Sequence, residues 1–268
     1  MKQVLTIAGS DSGGGAGIQA DLKTFHAHGV FGTSVLTAVT AQNTVAVTGA
    51  FELPLDVIAA QMDAVFDDFD ISAAKTGMLS SAAIVETVAD ALSQRRFENL
   101  VVDPVMISKS GFKLLKDDAI ASLKKRLLPL ALVVTPNIHE AQLLADLEID
   151  SADKMKRAAE QISRYGPRNV LIKGGHADFD QATDVLFDGA EFHVFKAKFI
   201  DTTNLHGTGC TYSAAITARI ALGEPPIRAI ENAKTYITRA IEHSLAIGKG
   251  HGPTNHFYFL KSDDFVNR

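Results

Sequence analysis

The chain has 268 residues, 46% of them hydrophobic and 21% charged. Its 26 basic and 31 acidic side chains leave a net charge of −5, which argues against a nucleic-acid partner, since phosphate contacts need a basic surface. The single cysteine excludes an intramolecular disulfide framework and any multi-cysteine metal site.

The order of elements follows from short apolar runs and their punctuation. Residues 4–8 (VLTIA) are closed by Gly9-Ser10-Asp11 and predict a buried strand. Residues 17–28 place Ile18, Leu22 and Phe25 at helical spacing. A Val/Leu/Thr-rich strand is expected over 34–40. Residues 54–69 put Leu55, Ile58, Met62, Val65 and Phe66 on one helical face, with Pro54 suited to the first turn. Strands are expected at 73–75 and 100–103, separated by a helix over 81–94. Another strand at 132–135 leads into a Glu/Ala/Leu-rich helix, and one more follows at 169–173.

The pattern then changes. Segments 183–188 and 191–195 flank Gly189-Ala190, which predicts an antiparallel hairpin. Two long helices, 209–222 and 226–247, come next. The tail after Gly248 is Gly/His-rich and then aromatic (Phe257-Tyr258-Phe259), and either packs on the domain or frays. Alternating strands and helices imply a parallel sheet covered on both faces. With no linker, repeat or low-complexity segment, residues 1–268 are expected to form one domain. The apolar run 127–134 is broken by Pro129 and far shorter than the ~20 residues a spanning helix needs. No secretory pattern opens the chain, so no membrane association and a cytoplasmic location are expected.

Several nucleotide and hydrolase signatures are missing. There is no G-x-x-x-x-G-K-[ST], no G-x-G-x-x-G after the first strand and no G-x-S-x-G; His139-Glu140 lacks a second histidine at 143. What is present is more informative. Gly9-Ser10-Asp11-Ser12-Gly13-Gly14-Gly15-Ala16-Gly17 follows the first strand, where small residues let backbone approach a ligand. Asp21, just beyond, reads equally as a ligand-facing carboxylate or a first-turn acid.

His206-Gly207-Thr208-Gly209-Cys210 opens a long helix. Exposed amides and the helix dipole make an anion hole there, suited to a transferring phosphoryl group, and the same field should lower the Cys210 thiol pKa. Asp103 and the pair Asn137 and Glu140 stand at or beyond strand ends. The acids could hold magnesium with nucleotide phosphates, or serve as caps and turn residues. Lys173, before Gly174-Gly175-His176, could reach a phosphate as a point charge or be a solvated surface residue.

Taken with Thr37–Thr44 (TAVTAQNT), Lys75-Thr76-Gly77-Met78-Leu79, Val102-Asp103-Pro104-Val105-Met106 and Thr135-Pro136-Asn137-Ile138-His139-Glu140-Ala141, these motifs resemble the ribokinase-like family of small-molecule kinases. Within it they are similar to the pyrimidine-kinase branch of thiamine biosynthesis, from Ala8 to at least Tyr236. The resemblance implies a ribokinase-like three-layer α/β/α sandwich with a mainly parallel central sheet and a small antiparallel element. It implies transfer of the γ-phosphate of ATP, with Mg2+, to the hydroxymethyl group of 4-amino-5-hydroxymethyl-2-methylpyrimidine, and then to its monophosphate. It also implies a homodimer.

Carried over residue by residue, Gln42 is expected to hydrogen-bond the pyrimidine, with Gly9, Asp21, Met78 and Val105 lining its pocket. Asp103, Asn137, Glu140, Lys173 and Thr208 are expected around ATP, with Asp103 and Glu140 organising the metal. Gly207, Gly209, Lys173 and Cys210 are expected to carry catalysis. Cys210 stands where many family members have an aspartate base, although the pyrimidine branch also has cysteine; Leu205 departs from a frequent threonine. The same scaffold could serve a pyridoxal-type kinase, or a non-catalytic ligand-binding module. A cysteine hydrolase built on Cys210 and His206 is disfavoured, because no orienting partner for His206 is evident.

Overall fold

The computed structural model describes residues 1–106, 116–175 and 182–260. His176, which closes the Lys173 motif, lies outside them. The elements in chain order are β1 (Gln3–Asp11), α1 (Gly17–Ala27), β2 (Phe31–Gln42), β3 (Val47–Glu52), α2 (Leu55–Asp68), β4 (Ile71–Thr76), α3 (Ala82–Gln94) and β5 (Leu100–Val102). They continue with α4 (Asp117–Ser122), which runs on through a π turn and a 3-10 turn to Leu130, then β6 (Val133–Val134), α5 (Ile138–Ala145), α6 (Ala152–Ser163) and β7 (Asn169–Ile172). The hairpin β8 (Thr183–Phe187) and β9 (Phe192–Lys196) and the helices α7 (Thr208–Ala221) and α8 (Pro226–Glu242) complete the described fold.

The strands form one sheet in the order β3-β2-β1-β4-β5-β6-β7-β8-β9. Pairing is parallel from β2 through β7 and antiparallel at both ends, β2 with β3 and β7–β8–β9. The period-2 alternation of each strand supplies two cores. Leu5, Ile7, Leu100, Val102, Val134, Val170 and Ile172 face a layer of α2 to α6. Val4, Val101, Val133 and Leu171 face α7, α8 and Phe25 of α1. This is the expected three-layer α/β/α arrangement.

Three local readings are corrected. β3 was not anticipated: it is an edge strand whose Phe51 is exposed, so its weak alternation carries no core signal. α6 escaped notice although Met155, Ala158, Ala159 and Ile162 form its buried face. α8 ends at Glu242, short of 247, because the chain turns back: the Leu245 amide donates to Pro253 O at 2.9 Å and that of Asn255 to Ala240 O at 3.0 Å. The segment after Gly248 is therefore packed on the domain as far as residue 260, with the Tyr236 hydroxyl donating to His256 O. No helix among the described residues is long and apolar enough to cross a membrane.

Candidate active site

The C-terminal ends of β1, β4, β5, β6 and β7 open onto one cavity of about 770 Å³, within the usual range for small-ligand sites. Strand order reverses beside β1, since β2 lies on one side of it and β4 on the other, and open α/β sheets leave a crevice at such a point. The cavity takes in every one of the sequence-predicted site residues: Gly9, Asp21, Gln42, Met78, Asp103, Val105, Asn137, Glu140, Lys173, Gly207, Thr208, Gly209 and Cys210 all line it.

The end nearest β1 and β2 is built on the glycine-rich loop. Asp11 closes β1, and its carboxylate organises that loop by accepting the amides of Gly13 at 2.8 Å, Gly15 at 3.1 Å and Ala16 at 2.8 Å. The same carboxylate lies 2.8 Å from His206 Nε2. Burial works to raise the Asp11 carboxyl, but the His206 and amide hydrogen bonds outweigh it and hold it below the usual value. His206 thus has an orienting partner, which corrects the sequence reading. The two residues are 195 positions apart, and no local pattern announces the pair. Gln42 stands beside them, while Met78 packs over Gly9, where a side-chain Cβ would come within 2.5 Å of Met78 Cε.

Beneath this end lies a buried ion pair. Lys75 Nζ is 2.7 Å from Asp21 Oδ1 and both side chains are fully buried; Thr6 Oγ1 donates to the other Asp21 oxygen at 2.6 Å. Asp21 lines the cavity as expected, but its carboxylate is held by Lys75. Burial pushes its carboxyl up against the opposing pull of Lys75 and Thr6. For Lys75, burial works to lower the ammonium, and the pull of Asp21, with Asp103 adding to it, more than restores it. Lys75 opens the motif Lys75-Thr76-Gly77-Met78-Leu79, in which nothing local signals this pairing.

The charge centre sits at the ends of β5 to β7. Lys173 Nζ donates to Asp103 Oδ1 at 2.9 Å, and Ser213 Oγ to Asp103 Oδ2 at 3.0 Å. Lys173 is 8% exposed, which removes its reading as a solvated surface residue. Burial acts to raise the Asp103 carboxyl, but Lys173 and Lys75 hold it below the usual range. Asn137 and Glu140 form a reciprocal cap at the start of α5: the Glu140 amide donates to Asn137 Oδ1 at 2.9 Å and the Asn137 amide to Glu140 Oε2 at 2.8 Å. The capping reading of this pair holds, and Glu140 caps the helix while still lining the cavity. Burial pushes its carboxyl up to about 7; Lys173 opposes this and Asp103 adds to it.

Asp184 supports this end from β8. It accepts the Gly174 amide at 3.0 Å, the Tyr212 hydroxyl at 2.9 Å and Lys234 Nζ at 2.8 Å. It thereby ties the loop after Lys173 to α7 and α8. An apolar wall of Phe199, Ile200, Ile237 and Ile241 completes the cavity here. Scattered over two elements, neither feature carries a sequence signal.

Between the two ends, α7 begins. Gly207 caps it at φ +77°, and a Cβ there would stand 1.8 Å from Gly15 O, so only glycine fits. The first amides of a helix lack partners one turn back. Thr208 and Thr211 donate to Leu205 and Gly207, which leaves the amides of Gly209 and Cys210 without an acceptor among the described residues. The free amides that such an anion hole requires are thus in place. The expected acidic thiol is not: burial pushes Cys210 up to about 12, with Lys75 pulling it down and Asp21 and Asp103 raising it. Desolvation and two nearby carboxylates outweigh the helix terminus.

Comparison with known proteins now settles the family. The sequence profile described as phosphomethylpyrimidine kinase matches residues 11–255. The chain belongs to the phosphomethylpyrimidine kinase family. A hydroxymethylpyrimidine/phosphomethylpyrimidine kinase of Haemophilus influenzae is 52% identical, over 97% of this chain and 98% of that one. Among solved structures, the phosphomethylpyrimidine kinase of Clostridium difficile is 47% identical, covers 90% of this chain and all of its own, and gives a TM-score of 0.81. The pyridoxal kinase of Staphylococcus aureus, solved with AMP-PCP and pyridoxal, is 35% identical at a TM-score of 0.89, over 98% of this chain and 96% of its own. This member of the family is accordingly a phosphotransferase on a ribokinase-like scaffold.

Proposed function

We propose that the chain transfers the γ-phosphate of ATP to the hydroxymethyl group of 4-amino-5-hydroxymethyl-2-methylpyrimidine, and then to the monophosphate so formed, in thiamine biosynthesis. The observation that carries this reading is the polarity of the cavity. A pocket at Gln42 and Met78 and a charged end at Lys173, Asp103 and Glu140 meet at the start of α7, beside the amides of Gly209 and Cys210.

Each end suits its half of the reaction. Gln42 offers an amide donor and acceptor to a ring nitrogen and its neighbouring amine, while Gly9, Met78 and Val105 wall the ring. Asp21 acts from below by holding Lys75 in place. The apolar wall at Ile237 and Phe199 suits a nucleobase, and Lys173, with Asn137 and Thr208 nearby, takes the phosphates.

Two buried carboxylates, one of them pushed up to about 7 by desolvation and its neighbour, fit a site completed by a cation. Among the described residues no group of three or more His, Cys, Asp or Glu could hold a metal alone, so phosphates and water would complete the shell of Mg2+, as that ion prefers. Bound there, Mg2+ supplies charge neutralisation of the phosphates.

Gly207 and Gly209 hold the amides of the anion hole where charge builds on the transferring group. Cys210 accepts the hydroxyl proton. A thiol at about 12 is protonated at neutral pH, so this role draws on a small thiolate fraction stabilised by Lys75. A loose phosphoryl transition state needs its base late, which makes such a fraction workable. In this reading the chain acts as one domain, in the cytoplasm and as a homodimer.

The test is steady-state ADP release with the hydroxymethylpyrimidine, its monophosphate and pyridoxal at equal concentration. Release with both pyrimidines in excess of pyridoxal is expected; a preference for pyridoxal overturns the substrate assignment.

A further inference from the structure

We infer that Asp11 and His206 form a positioning pair that fixes which end of the Gln42 amide is donor and which is acceptor, and so sets the orientation of the ring bound there. This rests on the proposed substrate class.

Asp11 already accepts three backbone amides and, as a carboxylate, has only acceptor sites. His206 Nε2 lies 2.8 Å from its Oδ2, so Nε2 carries the proton; a bare ring nitrogen would set lone pair against carboxylate. The ring cannot turn away. Gly15 is so close that a Cβ on it would reach within 2.4 Å of His206 Cδ2. The backbone is also fixed on the far side, where the His206 amide donates to Gly252 O at 3.0 Å.

The two ends of the Gln42 amide lie 3.3 Å from His206 Nε2 and 3.1 Å from Thr40 Oγ1. An Nε2–H that donates to Asp11 can share its proton with a second acceptor, but has no lone pair to accept with. The carbonyl oxygen of Gln42 must therefore face His206, since amide oxygen and nitrogen are interchangeable in shape and are assigned from such networks. Thr40 gives the same answer independently. Its hydroxyl donates to Ser10 O at 2.9 Å, which leaves it only lone pairs for Gln42, so the Gln42 NH2 belongs on that side. The opposite placement sets two donors face to face at His206 and asks one hydroxyl proton to serve two acceptors at Thr40.

One N–H on the Thr40 side and one carbonyl lone pair on the His206 side are then free for a ligand. A ring nitrogen must lie toward Thr40 and its neighbouring amine toward His206. An aminopyrimidine turned over would meet donor with donor.

The experiment compares two substitutions. In His206→Gln the new amide nitrogen can occupy the place of Nε2–H, whereas in His206→Asn it reaches only as far as Nδ1. His206→Asn should raise the KM for the hydroxymethylpyrimidine about tenfold or more, with the KM for ATP and the Tm little changed; His206→Gln should bring that KM back to within about threefold of the native value. Equal effects of the two substitutions, or a parallel rise in the KM for ATP, overturn the positioning role. Imidazole 15N shifts of the unsubstituted protein give a readout independent of any substrate: a protonated Nε2 is expected, and a bare Nε2 overturns the inference. Failure of the unsubstituted protein to phosphorylate the pyrimidine would refute the proposed function instead, with the tautomer still deciding the pair.

Discussion

Replacing Lys75 with methionine tests the ion pair beneath the site. The two side chains are of similar length, so the change removes a charge and little volume. In the native protein Lys75 Nζ sits 2.7 Å from Asp21 Oδ1 with neither side chain exposed. After substitution, Asp21 keeps only the Thr6 hydroxyl at 2.6 Å. Breaking one member of a fully buried pair costs about 3–5 kcal/mol, because a charge is stranded. For a chain of this size each kcal/mol lowers the Tm by roughly 2–4 °C, so a fall of roughly 6–20 °C is expected.

The loss should also depend on pH. Burial already pushes the Asp21 carboxyl up from 3.8, and Lys75 is the main group opposing it. Without the lysine the folded carboxyl rises further, so the folded state binds more protons than the unfolded one. Stability is then greatest below the unfolded value and falls as pH rises toward the folded one. Urea unfolding of Lys75→Met at about pH 5 and pH 8 reads this directly, with the larger deficit at the higher pH. Adding Asp21→Asn should recover much of it. A deficit under about 1 kcal/mol, or one that is the same at both pH values, would refute the reasoning.

Three further outcomes are expected. With the Cys210 thiol pushed up to about 12, a thiolate base makes kcat rise about tenfold per pH unit near neutrality, and Cys210→Ala should lower kcat while leaving substrate KM nearly intact; a flat pH profile would exclude the thiolate. Glu140→Gln keeps the α5 cap, since glutamine serves a capping box as well. Because the Glu140 carboxyl is raised from 4.5 to about 7, its native contribution to stability declines as pH climbs through that window, and the variant's urea midpoint should lose this decline. Gly207→Ala meets both a left-handed backbone at φ +77° and Gly15 O at 1.8 Å; a loss of activity by at least tenfold with reduced Tm is expected, and normal turnover would contradict the close packing of the two loops.

Much of the scaffold was legible because each buried strand pairs a short apolar run with turn residues, as Val4 to Ala8 does before Gly9. The site was legible as separate motifs, since strand ends place ligand-facing residues. What sequence could not show is how groups distant in the chain change one another. The helix terminus predicts an acidic thiol at Cys210, yet burial and two carboxylates reverse the sign. The pairs Asp11–His206 and Asp21–Lys75 join segments 195 and 54 residues apart, and nothing local encodes either. β3 escaped because Phe51, an exposed edge residue, leaves no alternation to read.

The strap formed by Gly252 to Thr254 has a consequence for how the molecule is made. His206 lies between a loop that leaves β1 and this late segment, which runs beside it as a parallel bridge at Pro253. Strands β1 to β9 all precede this strap in the chain, so they are synthesised before it. The contacts of His206 with Gly252 and Pro253 form only once those residues have been synthesised. The hold on His206 is thereby completed late, with Asp11 and Gly15 on one side and Gly252 and Pro253 on the other.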